Sequence, residues 1–390
     1  MAMTHIATTP KDGRPRLLMV ANELQSFFNH RLPQARAAKA AGYDVHVAMQ
    51  DAVDARARDT DALTFHSLPL ARGFANPAHE MRALLRLNTL VKTLSPQIIH
   101  AYTLKPVLYA GLVSRWQNIP LAASVTGVGS FFLGTSPRDK LIQKVLMPAL
   151  RLALAGRRPC IAIVQNPDDE TLVTRQLGVG EANAVRIKGS GVDLTVFSPA
   201  ESTPPPPVRV VLAARLLADK GVNEFAAAAR MLKAQGVDAD FILAGTPDPE
   251  NRSSIPQQTI IDWVNRCSVR WPGHVDDMAV LYRGAHIACL PSYREGLPKA
   301  LLEAAACGLP IVTTDVPGCR DAIIDGQTGT MVPARDAQAL ATALRTLIED
   351  PDLRARYGKA GRAFVANGFS VETITQQTLE TYERLRAPRA

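Results

Sequence analysis

The stretch PSYREGLPKALLEAAACGLPIVTTDVPG (291–318) decides how the rest of this chain is read. It follows HIACLPS, a run apolar enough for a buried strand, and it carries two carboxylates eight residues apart, Glu295 and Glu303. Glu295 falls in the loop behind the strand, and Glu303 falls on the helix that the loop opens. Pro298 suits the first helical turn, where a missing N–H costs nothing, and Gly308 followed by Pro310 closes the helix. The spacing thus predicts a helix over 298–307 whose N-terminus frees the amides of Gly296 and Leu297 as a seat for a phosphate. Glu295 lies beside that seat, and Glu303 lies about 9 Å further on at about 1.5 Å per residue.

Outward from this stretch, apolar runs alternate with helical patterns. VRVVLAARL, DFILAG, SVRWPG, HIACLPS, PIVTTD and TGTMVP read as strands, with helices near 223–235, 253–266, 276–284, 298–307 and 336–349. The first half repeats the rhythm. RLLMVAN, YDVHVAMQ, QIIHAYT, PLAASVTG and IAIVQN are strands, with helices near 31–41, 78–94 and up to Arg115. Such alternation means a mostly parallel sheet covered on both faces, once per half. Four consecutive prolines, Pro204–Pro207, form a stiff spacer that neither a helix nor a central strand tolerates, so the linker between halves is expected there.

The segment 291–318 resembles the E-x7-E signature of retaining, family-four glycosyltransferases, with the preceding PS, the EG, the proline and the trailing GLPIV and PG in place. The resemblance implies the α/β GT-B fold, two doubly wound Rossmann-like domains facing each other across a cleft. Residues 16–200 would bind the acceptor, with 370–390 returning as a last helix, and 208–369 would bind the nucleotide-sugar donor. The layout suits such a donor: diphosphate on the amides of Gly296 and Leu297, sugar hydroxyls to Glu295, ribose hydroxyls to Glu303.

Behind the first strand of the second half comes AARLLADKG. Arg215 and Lys220 stand at a strand end and in the next turn, where a parallel sheet binds ligands. Two cations there would stabilise charge growing on a departing diphosphate. They resemble the family's G-R-L...K-G element, with Ala214 in place of the glycine. Gly245, ending DFILAG, would admit a ligand to the backbone. Val275, in PGHVDD, lies where relatives seat the base. Gly129, in TGVGSFFLG, would let backbone approach the transferred sugar; the G-x-G-x-x-G pattern fails there. A donor-touching histidine found in many relatives of this region has no counterpart between Thr126 and Gly134.

In the first half, the loop ANELQSFFNHRLP and the downstream ARAAKAAGYDVHVA resemble bacterial enzymes that lengthen sugars on polyprenyl-diphosphate carriers. Arg31 would then meet the acceptor diphosphate. Thr103 and Lys105 follow a strand and precede a helix, again favourable for an anion. His100 reads as a buried imidazole closing its strand.

Composition sets further bounds. The chain has 390 residues, 47% hydrophobic and 21% charged, enough for two globular domains. No run of 18 apolar residues occurs, and the N-terminus lacks the apolar core of a secretory signal. Five cysteines without a C-x-x-C pair suggest reduced thiols in a cytosolic protein. Residues 1–200 hold 23 Lys and Arg against 14 Asp and Glu, while 201–390 hold 21 against 22. The basic half is expected to face an anionic surface: the inner membrane or a lipid diphosphate, with peripheral attachment at the cytoplasmic side. The basic amphipathic stretch 138–158, interrupted by Pro148, is the candidate contact. Nucleic acid is disfavoured, because aromatics are 5% and no basic run interleaves with them.

No cofactor is expected. No His/Cys set has ligand spacing, and the D-x-D pairs Asp59–Asp61 and Asp238–Asp240 read as turns, so no metal is expected either. The expected reaction is retaining hexosyl transfer from a UDP-sugar to a lipid-linked or other membrane-associated glycan in polysaccharide or O-antigen biosynthesis. A GT-B-shaped sugar-nucleotide epimerase and a silent nucleotide- or glycan-binding module remain the alternatives.

Overall fold

The computed structural model describes residues 13–58, 61–70, 76–126, 137–156, 158–266 and 269–387. The chain folds as two units, Met1–Ser190 with Ile374–Ala390, and Gly191–Thr373. The division falls ahead of the Pro204–Pro207 run where the sequence places the linker. Those prolines belong to the second unit. The Arg209 guanidinium donates to the Pro205 carbonyl at 2.9 Å, and the His286 ring bonds the Pro204 carbonyl at 3.0 Å. The stiff run thus lies along the entry to a strand.

The first unit is a seven-stranded parallel sheet. Its strands are β1 (Arg16–Val20), β2 (Asp44–Met49), β3 (Thr64–Ser67), β4 (Ile98–Tyr102), β5 (Leu121–Ser124), β6 (Cys160–Val164) and β7 (Ala184–Arg186), in the order β3-β2-β1-β4-β5-β6-β7. Alternate side chains of β1 feed two separate cores, as the pleat requires. Leu18 and Val20 pack with Leu87, Val107 and Leu150, from the helices Pro77–Leu94, Leu104–Gln117 and Pro137–Leu154. Leu17 and Met19 pack with Phe27, Ala35, Ile374 and Tyr382, the last two from helix Val371–Arg386. Edge strands β3 and β7 escape a sequence reading because TFHS and AVR are too short to show a period. Leu24–His30, read as an open loop, is a helix that buries Phe27. Helix Pro137–Leu154 runs through Pro148 as one element.

The second unit is a six-stranded parallel sheet. Its strands are β8 (Val208–Ala213), β9 (Ala239–Ala244), β10 (Arg270–Gly273), β11 (Ile287–Leu290), β12 (Ile311–Thr314) and β13 (Gly329–Val332), in the order β10-β9-β8-β11-β12-β13. Chain order therefore reverses between β8 and β11, as it does between β1 and β4 in the first unit. In open α/β sheets ligands bind outside the carboxyl ends of the strands at such a switch point.

Candidate active site

The carboxyl ends of β8 and β11 bring together two residues that lie 75 positions apart. Lys220 Nζ pairs with Glu295 Oε1 at 2.5 Å, and Ser292 Oγ donates to the same oxygen at 2.8 Å. Lys220 ends a single 3-10 turn, Ala218–Lys220, and Gly221 follows with φ of 70°. A Cβ at Gly221 would stand 2.1 Å from the Pro291 carbonyl, so only glycine lets this turn close on the loop behind β11. Tyr293 N–H donates to Asp219 O at 2.8 Å, stitching the two loops together. From the other side Glu295 N–H donates to Pro317 O at 3.0 Å. The cation and the carboxylate are thus placed by backbone contacts on both flanks.

The remaining donor-side residues are spread around this pair. Arg215 is half exposed, and its guanidinium pairs with Asp248 at 2.7 Å rather than with either glutamate. Glu303 pairs with Lys299 at 3.0 Å, one helical turn back. Burial raises the Glu303 carboxyl above the usual carboxylate range, and Lys299 only partly opposes this. The helix spans Lys299–Ala306 with Pro298 as N-cap, one position earlier than the first-turn placement expected. Gly296 and Leu297 consequently precede the helix. Leu297 turns its side chain into the core, and Gly296 is already engaged in a contact. At the other end Gly308 N–H reaches Ala305 O and Leu309 N–H reaches Ala304 O, the Schellman closure that glycine favours. Gly245 has its own close neighbour: a Cβ there would lie 1.9 Å from the Ala214 carbonyl. Val275 packs half-buried against the core. Gly129 lies outside the described residues.

In the first unit the loops behind β1 and β4 hold the three expected acceptor residues. Arg31 links helix Leu24–His30 to helix Leu32–Ala40 and is buried, its guanidinium 4.5 Å over the Tyr102 ring. Burial lowers its pKa. Thr103 caps helix Leu104–Gln117 with φ of 69°, a conformation costly for a β-branched residue and characteristic of functional loops. Its hydroxyl accepts from Asn22 at 3.3 Å across the switch point. Lys105 corrects the expectation of a cation waiting at the helix N-terminus. It is buried and ion-paired with Glu80 at 2.8 Å, so its charge ties two helices together. His100 is the buried imidazole expected, bonded to Tyr382, Tyr102 and Ser124 at 2.6, 2.9 and 2.8 Å. Burial and the nearby Arg31 depress its pKa well below the ordinary value, keeping it neutral.

Sequence reading missed Ser292, Asp248, Lys299 and Glu80, each a partner of a named residue. Only Lys299 left a signal, its i, i+4 spacing from Glu303. The others are brought in by the tertiary fold. Among the described residues no group of three or more His, Cys, Asp or Glu side chains gathers as a metal site.

With this geometry in view, the chain can be set beside known proteins. The family model "Glycosyl transferases group 1" matches residues 197–364, and "Glycosyl transferase 4-like" matches residues 16–165. Between them they take in both units, and the chain belongs to these glycosyltransferases, enzymes of GT-B fold. Among its relatives is the N,N'-diacetylbacillosaminyl-diphospho-undecaprenol alpha-1,3-N-acetylgalactosaminyltransferase of Campylobacter jejuni, 29% identical over 92% of this chain and 96% of the relative. Sucrose-phosphate synthase from Thermosynechococcus elongatus superposes with a TM-score of 0.77 at 22% identity, over 95% of this chain and 99% of that one. HepE of Anabaena, in complex with UDP and glucose, superposes with a TM-score of 0.76 at 18% identity, over 94% and 99%. At those identities the two structures speak for the fold alone.

Proposed function

We propose that this glycosyltransferase is retaining and metal-independent, moving a hexose-type sugar from a UDP-sugar to a glycan carried on a polyprenyl diphosphate. The observation that carries the reading is the Lys220–Glu295 pair at the β8/β11 switch point. A cation beside a carboxylate suits a donor whose sugar hydroxyls meet the acid while its diphosphate meets the base. The bond from the anomeric carbon to phosphate oxygen breaks, and the acceptor hydroxyl oxygen bonds to that carbon on the same face. The acceptor proton passes to the departing phosphate oxygen. Lys220 and Arg215 stabilise the charge left on the diphosphate, the task a divalent cation would otherwise perform. Glu303 accepts from the ribose hydroxyls. The name of the Campylobacter relative supports a diphospho-undecaprenol acceptor, and HepE, which shares the fold, was solved with UDP and glucose bound. No relative described above favours an epimerase.

The same reading attaches the first unit to an anionic membrane surface. No helix among the described residues is long and apolar enough to cross a membrane. Neighbouring helices Pro77–Leu94, Leu104–Gln117 and Pro137–Leu154 expose Met81, Leu85, Trp116, Val145 and Leu152, with Lys140, Lys144 and Arg151 also exposed. Apolar side chains among basic ones suit an interfacial contact.

A panel of UDP- and GDP-sugars screened for a rise in Tm tests the donor, since a ligand bound only by folded protein raises it. A UDP-sugar is expected to give the largest rise, and a GDP-sugar doing so would overturn the nucleotide assignment. Glu303→Ala should raise the donor KM more than it changes sugar choice. Unchanged donor affinity would remove Glu303 from the ribose.

A further inference from the structure

Lys299 stands where its helix has no use for a cation. It is the first residue of helix Lys299–Ala306, behind the N-cap Pro298, and a positive charge there opposes the helix dipole. Its place four residues ahead of Glu303 is also the weaker order for an i, i+4 pair, in which the acid should come first. On an open surface such a pair contributes little. Here the acid is buried: the Glu303 side chain is 11% exposed and that of Lys299 25%. Solvent therefore screens the pair poorly, and a carboxylate taken from water without a partner is costly.

Lys299 Nζ meets Glu303 Oε1 at 3.0 Å, and among the described residues no other group donates to this carboxylate. The other titratable groups facing it are the Tyr282 phenol, from helix Met278–Arg283, and the Cys307 thiol at the C-cap of its own helix. Burial raises both, Cys307 to about 11, so both stay protonated at neutral pH and supply no charge. The Tyr282 hydroxyl has no hydrogen-bond partner, so it does not bond the carboxylate either. Asp193 also lies within the field of Lys299, but its carboxylate is taken up by the Thr195 hydroxyl and the amides of Thr195 and Val196. Burial pushes the Glu303 carboxyl up, and Lys299 is the group that opposes it.

Ionised, a carboxyl is all acceptor and can take two hydroxyls at once; protonated, it gives up part of that capacity and bonds more weakly. We propose that Lys299 keeps Glu303 ionised at neutral pH and thereby sets the preference for a ribonucleotide over its 2′-deoxy counterpart. Lys299 acts through Glu303, so it is a positioning residue rather than a catalytic one. The inference rests on the ribose role proposed for Glu303 and deepens it. Recognition of the 2′-hydroxyl is full above the folded pKa of that carboxyl and fades as pH falls through it.

The test is calorimetric titration of the full-length protein with UDP and with 2′-deoxy-UDP between pH 5 and pH 8, for the parent, Lys299→Met, Lys299→Arg and Glu303→Gln. The ratio of the two affinities isolates the 2′-hydroxyl, because phosphate ionisation and phosphate contacts are common to both ligands. At pH 8 the parent should favour UDP by about tenfold or more, the scale of a hydrogen bond to a charged group. In Lys299→Met the ratio should collapse at a higher pH than in the parent, since nothing then opposes burial. Continued binding of 2′-deoxy-UDP shows that the variant is folded. Lys299→Arg, which keeps the charge, should return the profile toward that of the parent. An unshifted profile in Lys299→Met overturns the proposal. A ratio lost at every pH in that variant overturns it too, because the lysine would then orient Glu303 rather than keep it charged. The two readings fail separately. A ratio that Glu303→Gln abolishes and Lys299→Met leaves untouched sinks the lysine's role alone, whereas a parental ratio in Glu303→Gln sinks the ribose reading and this one with it.

Discussion

Lys220 and Glu303 show how differently two charges of one site are held. Lys220 is fixed by Glu295; if, as proposed, it lies where leaving-group charge develops, Lys220→Ala should lower kcat by about 10²–10³-fold, as loss of one transition-state donor does. Initial rates at saturating donor decide this, and a change in KM alone would assign Lys220 to ground-state binding. Glu303 carries a folded-state pKa raised by burial. Its contribution to stability is therefore full below the unfolded carboxyl pKa and is lost as pH rises through the folded value. The Tm of Glu303→Gln should gain on the parent between pH 4 and pH 7, and a constant difference would mean the carboxyl titrates normally. Such a cost at neutral pH is typical of groups kept for function. Both residues stand out by spacing and strand-end position, and Lys299 by its i, i+4 spacing, but that Lys220 pairs with Glu295 is decided only by the fold. Lys105 was placed on the correct loop and given the wrong task, because nothing in the local sequence announces that Glu80 will lie beside it.

The loops behind β8 and β11 owe their positions to close backbone contacts, and Gly318 is the tightest of these on the Glu295 side. It has φ of 81°, and a Cβ there would lie 2.4 Å from the Glu295 carbonyl oxygen. Gly318→Ala should cost about 1–3 kcal/mol in urea unfolding, the scale of local backbone strain, and weaken UDP binding by displacing the loop. Intact UDP affinity in a destabilised variant would separate the glycine's packing role from the site. Elements with strong periods, such as helix Ala337–Glu349 or strand β8, were legible because one face of each is apolar throughout. The short helix Leu24–His30 and the edge strands β3 and β7 were not, since each buries too little to impose a pattern. The prolines at 204–207 misled on the linker for a related reason. Stiffness says that a segment is extended, not whether its carbonyls find donors such as Arg209.

At the scale of the whole molecule, each unit carries its own sheet, cores and switch point. UDP should slow amide hydrogen exchange in residues 215–221 and 291–303 while leaving the strands of the first unit unchanged. Protection appearing in the loops behind β1 and β4 instead would move the donor to the first unit. By itself the sequence determined the α/β class and the two-fold repetition of the sheet, and it put Lys220 and Glu295 behind strand ends. Hydrophobic period and strand-end chemistry are local properties, readable within about twenty residues. Only the tertiary structure decided which charges neutralise one another, Lys105 with Glu80 and Arg215 with Asp248. Ion pairing depends on distances between segments far apart in the chain, and those exist only once the strands have found their order.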